Sequence, residues 1–150
     1  MQKYTVVVCD HIHQAGLDML ANDEQINFIM AADVDKKELI ETIIPDADVA
    51  ITRSSTDVDD FFISNAKNMK AIVRAGVGVD NVDIPGCSKE GIIVMNVPTA
   101  NTIAAVEMTM AHMLSCMRMF PYSHDHLKNQ RIWKREKWYG YELKGKKLGV

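Results

Sequence analysis

The chain has 150 residues, of which 47% are apolar, 25% charged and 7% aromatic, with a net charge of −3. This composition excludes a disordered tail, a collagen-like repeat and a disulfide-stapled miniprotein, and it fits one globular domain or one domain with the beginning of another. The apolar runs are too short to span a membrane. Three scattered cysteines and the lack of a signal-peptide pattern lead us to expect a soluble, cytoplasmic protein.

Short apolar runs alternate with amphipathic segments along the first hundred residues. The apolar runs predict five strands, at residues 5–9, 26–30, 48–52, 71–74 and 92–95. The amphipathic segments predict four helices, at residues 14–21, 35–44, 57–66 and 84–89. We expect the second helix to end just before Pro45. This order predicts a flavodoxin-like five-stranded parallel sheet with helices on both faces.

The longest helical pattern begins near Asn101 and continues to about residue 120, and either Asn101 or Thr102 could cap its N-terminus. Five of the ten methionines lie between Met108 and Met119, and we interpret this face as core packing rather than as a partner surface. A helix of this length predicts a connector into a second domain. Residues 144–150 are typical of the start of a new strand, so we expect the chain to be an N-terminal fragment.

Polar residues and glycines follow the third and fourth predicted strands. Arg53 and Ser54 come after one strand, and Arg74 opens a loop that contains Gly76 and Gly78. Ligands of open α/β sheets bind beyond the carboxyl ends of the strands, and glycine loops with arginines are suited to a small, doubly charged anion. The alternative is that the glycines only turn the chain while the arginines pair with surface acids.

A second basic feature lies near the end of the chain. Residues 128–147 contain eight basic and two acidic residues, whereas the rest of the chain is acidic. The acidic remainder argues against nucleic acid and leaves a small anion or a solvated surface as the alternatives.

No catalytic residue or metal site can be assigned from residue patterns alone. The histidine pairs His11/His13 and His124/His126 lack a recognisable third ligand, so we predict no metal. A complete GxGxxG loop and a nucleophile–histidine pattern are also missing from the sequence.

The stretch Arg-Ala-Gly-Val-Gly-Val-Asp-Asn-Val-Asp at residues 74–83 resembles the D-isomer-specific 2-hydroxyacid dehydrogenases. Five further stretches extend the resemblance in order, at residues 51–56, 91–98, 101–107, 133–138 and 145–150. The resemblance implies that residues 1–98 form a substrate-binding domain and that residues 99–150 form the connector helix and the first part of an NAD-binding Rossmann domain. The catalytic arginine, glutamate and histidine of the family would lie further on, so the chain alone is expected to be inactive.

The resemblance also implies roles for individual residues. Substrate would contact Arg53, Ser54 and the loop from Arg74, that is Ala75, Gly76, Val77 and Gly78. Some family members have threonine where this chain has Val77, so a hydroxyl contact is absent here. Val77 and Asn101 would lie near the nicotinamide of NAD, and Lys134 and Arg135 would approach the phosphate of a small phosphorylated 2-hydroxy acid from a neighbouring subunit.

The resemblance further implies a homodimer or homotetramer formed through residues 101–150. The acidic charge and the short apolar runs predict no nucleic-acid or membrane partner. Two other functions stay open. The first is a dehydrogenase of unphosphorylated 2-hydroxy acids, which would not need Lys134 and Arg135. The second is a non-catalytic interaction module of the same architecture, which would bind a partner peptide.

Overall fold

The computed structural model describes residues 3–149, apart from the side chain of Arg135. Its Cα positions divide into two compact units, Met1–Ala100 and Asn101–Val150. Within the described residues, no helix is both long and apolar enough to cross a membrane.

The first unit contains a five-stranded sheet in which every pair of neighbouring strands is parallel. Its strand order is β2-β1-β3-β4-β5, which confirms the flavodoxin-like prediction. Thr52, Arg74 and Asn96 are register partners at the carboxyl ends of three adjacent strands. The strands are β1 (Tyr4–Val8), β2 (Ile26–Met30), β3 (Val49–Thr52), β4 (Ala71–Arg74) and β5 (Ile93–Asn96).

Four helices of this unit begin at polar side-chain caps; one of them is α2 (Lys36–Glu38), which Asp35 caps. The others are α1 (Gln14–Ala21), capped by His13, α3 (Asp60–Asn65), capped by Asp59, and α4 (Ile84–Lys89), capped by Asp83. The helix predicted at 57–66 begins later because Val58 first pairs with Val82 in an isolated parallel bridge.

The predicted helix at 35–44 is instead a mixed segment that runs past the proline. It begins as α2 (Lys36–Glu38), widens into a π-helical turn (Leu39–Ile43) and ends as a 3₁₀ turn (Ile44–Asp46). The expected end before Pro45 is therefore wrong. Pro45 lies in the first turn of the 3₁₀ segment, where a missing N–H costs no hydrogen bond.

The core lies on the sheet face that packs against these helices. Alternate strand residues on that face are fully buried, and they meet Leu39, Ile44 and Phe62 from the helical segments. These strand residues are Val7, Ala50 and Ile72, and Cys9, directly after β1, is buried with them.

The second unit contains α5 (Thr102–Met117), α6 (Phe120–Lys128) and a 3₁₀ turn (Arg135–Lys137). The single helix predicted to residue 120 is wrong, because the chain turns at Met119 with a left-handed φ of 52°. At the end of α5, the Met117 carbonyl accepts a hydrogen bond from the Tyr141 N–H at 2.7 Å. Among the described residues, it does not accept one from the N–H of a following helical residue. Asn101 occupies the N-cap position, but its side chain makes no capping hydrogen bond.

Two further expectations for this unit are wrong. None of the residues of α5 is buried, so its methionine-rich face is not core packing; Ile103, for example, is 70% exposed. A unit of this size has only α6 and a loop with which to cover the helix. Residues 144–149 form no strand, since the described part of the unit offers no neighbouring strand for pairing.

A candidate anion-binding site at the strand ends

The loop after β3 carries Arg53 with most of its guanidinium donors unused. The Arg53 Nη1 donates to the His11 carbonyl at 3.1 Å, which is the one hydrogen bond of this side chain among the described residues. The backbone of the loop is held firmly, because Asn81 Nδ2 donates to the carbonyls of Arg53 at 2.8 Å and of Thr56 at 2.6 Å. Ser54 is exposed beside Arg53.

Arg74 ends β4 and folds back over the following glycine. A Cβ on Gly76 would overlap with the Arg74 guanidinium, so only glycine lets the side chain lie there. The Arg74 Nε is buried and donates to no described residue. Neither Arg53 nor Arg74 forms an ion pair within residues 3–149, which disfavours the alternative that these arginines pair with surface acids.

The backbone of the glycine loop offers fewer donors to a ligand than its sequence indicates. The N–H of Ala75 donates to the Thr52 carbonyl and that of Gly76 to the Arg74 carbonyl, both at 2.8 Å. By contrast, the N–H groups of Val77 and Gly78 donate to none of the described residues. An anion held by this loop would therefore bond to Val77 and Gly78, and not to the N–H of Gly76.

The glycine loop is also hydrogen-bonded to residues at the end of β5. Asn96 Nδ2 donates to the Val77 carbonyl at 2.8 Å, and the Val97 N–H donates to the Gly76 carbonyl at 3.0 Å. Because these two carbonyl oxygens accept hydrogen bonds, they repel an anion at the loop less than free carbonyl oxygens would.

A buried carboxylate that sequence analysis did not assign to the site lies under the Arg53 loop. Asp10 is 4% exposed and follows β1. Burial alone would raise its pKa, but hydrogen bonds from Lys36, from the Arg53 N–H and from Thr56 outweigh burial and hold the pKa below its usual range. An acid directly after a buried strand was the available signal, and the sequence alone did not indicate its partners.

The histidines near this site have structural roles. His13 Nδ1 caps α1 by accepting from the Ala15 N–H at 3.2 Å, and His11 Nε2 lies 3.0 Å from Asp33 Oδ1 on the surface.

The remaining predicted site residues belong to the second unit. Asn101 is exposed, and its amide has no hydrogen-bond partner among the described residues. Lys134 is exposed at a cavity of about 380 Å³ that also contains Arg118, His124 and Trp138. Arg135 begins the 3₁₀ turn, and its side chain lies outside the described part of the structure.

Comparison with known proteins gives a consistent result over most of the chain. The family model described as D-isomer specific 2-hydroxyacid dehydrogenase, catalytic domain, matches residues 6–141. The D-3-phosphoglycerate dehydrogenase of Methanocaldococcus jannaschii is 40% identical over 145 residues, covering 97% of this chain and 27% of the relative. The hydroxypyruvate reductase of Thermotoga maritima is 36% identical over 150 residues, covering 100% of this chain and 48% of the relative.

A solved structure with a related sequence shows the same fold. The NAD⁺-bound 3-phosphoglycerate dehydrogenase of Entamoeba histolytica superposes with a TM-score of 0.65 at 29% identity, covering 77% of this chain and 40% of that one. The chain therefore spans between about a quarter and about a half of the length of these relatives.

Proposed function

Because this chain belongs to the D-isomer-specific 2-hydroxyacid dehydrogenase family, we propose that it is the substrate-binding part of an NAD-dependent D-3-phosphoglycerate dehydrogenase. The reaction removes a hydride from C2 of D-3-phosphoglycerate and a proton from its hydroxyl, and it yields 3-phosphohydroxypyruvate, the entry to serine biosynthesis. The single observation that carries the proposal is a pair of arginines, neither ion-paired with a described residue, beside a loop in which two N–H groups donate to no described residue.

Two loops of the first unit would bind the substrate, each in a different way. The free N–H groups of Val77 and Gly78 and the Arg74 guanidinium would hold the substrate carboxylate, since two N–H donors and a planar fork match its two oxygens. Arg53 and Ser54 would bind from the adjacent loop. Fixing both ends of a three-carbon acid restricts the orientation of C2 toward the cofactor, which lowers the entropic part of the barrier.

NAD, when bound, would accept the hydride, and this chain would supply only a small part of its site. Val77 has a 41% exposed apolar side chain, and Asn101 has an amide without a described partner. Such groups suit the apolar face and the carboxamide of a nicotinamide ring. The proton-accepting residues of the reaction are not assigned within residues 1–150.

The preference for a phosphorylated substrate rests on Lys134 and Arg135. Both belong to the basic segment, and a dianionic phosphate would be attracted by them. The hydroxypyruvate reductase relative favours a second candidate, a dehydrogenase of unphosphorylated 2-hydroxy acids. A peptide-binding module is disfavoured, because the polar strand ends lined by Arg53 and Arg74 are unlike an apolar peptide groove.

The proposal includes assembly and location. Exposed apolar side chains of α5, among them Ile103, Val106 and Met108, support a homodimer or homotetramer formed through residues 101–150. Three free cysteines support a reducing, cytoplasmic location. The acidic body of the chain supports the absence of a nucleic-acid partner.

Isothermal titration of the chain with D-3-phosphoglycerate and with D-glycerate tests the proposal. We expect the phosphorylated acid to bind more tightly, and Arg74→Gln to weaken its binding at least tenfold, because a charge-assisted hydrogen bond contributes roughly 1.5–3 kcal/mol. Lys67→Gln is the matched control, since this exposed cation precedes β4 and lies at the opposite edge of the sheet. Equal affinity for the two acids would favour the unphosphorylated alternative, and no binding of either would contradict both.

A further inference from the structure

We propose that Asp10 and Lys36 are positioning residues of the hydroxy-acid site, a buried ion pair that fixes residues 53–56 so that Arg53 faces the substrate with its donors free. The inference rests on the proposed function, and it concerns two residues that bind no ligand themselves. The evidence is the hydrogen bonding beneath the loop.

One carboxylate oxygen of Asp10 holds both ends of the loop. Asp10 Oδ2 accepts the Arg53 N–H at 2.5 Å and the Thr56 N–H at 3.2 Å. These two donors lie three residues apart, so the loop closes around a single oxygen. A carboxylate is the strongest acceptor available to backbone N–H groups, and it fixes the backbone from which the Arg53 side chain extends.

Lys36 completes this arrangement from a different element. Its Nζ donates to Asp10 Oδ1 at 2.9 Å, to Thr56 Oγ1 at 2.7 Å and to the Cys9 carbonyl at 2.9 Å, so all three of its donors are used. The Thr56 hydroxyl, which is buried, donates in turn to Asp10 Oδ1 at 2.8 Å. The charge of Asp10 is therefore neutralised by Lys36.

This neutralisation has a consequence for Arg53. An unpaired carboxylate this close to the backbone of Arg53 would attract the Arg53 guanidinium and occupy its donors. With Lys36 in place, Arg53 contacts Asp10 through its backbone N–H, and within residues 3–149 its guanidinium makes a single hydrogen bond, to the His11 carbonyl. The ion pair thus fixes the loop and leaves the arginine available for an anion.

A second carboxylate–lysine pair in the same sheet provides a matched comparison. Asp48 precedes β3, accepts the Thr5 N–H at 2.8 Å and pairs with Lys70. It has the same chemistry as the Asp10 pair but lies at the amino ends of the strands. Loss of Asp48 should therefore cost stability without affecting a ligand at the carboxyl ends.

The test combines amide hydrogen exchange with a double-mutant cycle. We expect Asp10→Asn to speed exchange of the Arg53 and Thr56 amides about tenfold and to raise the dissociation constant of D-3-phosphoglycerate about tenfold. In the Arg53→Gln background, the same substitution should change the dissociation constant less than twofold, because its effect acts through Arg53. Asp48→Asn should leave both quantities unchanged.

The possible outcomes separate this inference from the proposed function. Unchanged exchange at Arg53 and Thr56, or fully additive losses in the cycle, would overturn the positioning role. If Arg53→Gln weakens binding but Asp10→Asn does not, the positioning role alone fails. If the wild-type chain binds no D-3-phosphoglycerate, the proposed function fails and the positioning role fails with it.

A second pair of variants covers the case in which Asp10→Asn does not fold. Lys36→Met leaves Asp10 without its cation, so the Arg53 guanidinium should turn to the carboxylate and the dissociation constant of D-3-phosphoglycerate should rise as it does for Asp10→Asn. The neighbouring Lys37→Met is its control, since the one ion pair of Lys37 among the described residues is with Glu41 on the surface, at 3.8 Å. Equal behaviour of the Lys36 and Lys37 variants would contradict the inference.

Discussion

The Arg74 guanidinium lies directly over Gly76, in the space that any larger residue would fill with its Cβ. Gly76 has no positive φ, so its backbone conformation does not require glycine. Glycine is required because a Cβ would overlap with the Arg74 guanidinium. The glycine at residue 76 therefore determines where the positive charge of Arg74 lies, since a side chain there would displace the guanidinium.

Gly76→Ala should weaken anion binding without a comparable loss of stability. The displaced atoms are the end of a flexible arginine, so the chain can fold with the guanidinium moved aside. We expect the dissociation constant for D-3-phosphoglycerate to rise about fivefold or more and the free energy of unfolding to fall by less than about 1 kcal/mol. Titration calorimetry and urea unfolding measure the two quantities. Additive effects of Gly76→Ala and Arg74→Gln would show that the glycine acts through something other than Arg74.

The buried carboxyl of Asp10 makes stability depend on pH in a defined direction. Its folded pKa is below the ordinary value, so its ionised form stabilises the fold above the unfolded pKa of about 3.9, and that contribution is lost as the pH falls through the folded pKa. Urea unfolding between about pH 6 and pH 2.5 should show a smaller decrease for Asp10→Asn than for the wild-type chain. Asp48, whose pKa is lowered by the hydrogen bonds from Lys70 and the Thr5 N–H, should behave with the same sign. Parallel curves for wild type and Asp10→Asn would contradict this assignment.

The three cysteines should differ sharply in reactivity. Burial, followed by the charge of Asp10, raises the pKa of the Cys9 thiol to about 12, and burial raises the pKa of Cys87. Cys116 is exposed on α5. At about pH 8 a thiol reagent should modify Cys116 rapidly and the other two only on unfolding, since the thiolate is the reactive form. Cys116→Ser should abolish the fast phase, and a fast phase that survives this substitution would place a second reactive thiol in the folded chain.

Gly140 should be essential to the turn that ends α5. A Cβ at this position would overlap with the Met117 carbonyl and approach the Arg118 Cα to 2.8 Å, and backbone atoms cannot move aside as a side chain can. We expect Gly140→Ala to reduce stability by about 1–3 kcal/mol, as overpacking does, and to change the fluorescence of nearby Trp138. Gly149→Ala is the matched control, because a Cβ there meets nothing within 4 Å. Equal unfolding curves for the two variants would mean that residues 140 and 117 are not in contact.

Local pattern predicted the strands and both ends of α1 and α4, but it did not predict the ends of α2, α3 and α5. A parallel strand buried on both faces is a short β-branched run, as in residues 5–8, so its position can be read from the sequence. The end of α5 could not be read in this way, because apolar spacing continues from Met113 through Met117 to Phe120. The hydrogen bond from Tyr141 to Met117 joins residues far apart in the sequence, and no local pattern contains it.

The sequence by itself determined the parallel sheet, the family and the identity of the arginines and glycines at the strand ends. Only the tertiary structure decided which donors are free, because this depends on what each group meets: the N–H of Gly76 is used by the Arg74 carbonyl, whereas those of Val77 and Gly78 are not used by any described residue. It also decided that Asp10, Lys36 and Thr56 lie together under Arg53. Their meeting follows from the folding of three separate chain segments around β1 and β3, which residue spacing along the chain does not encode.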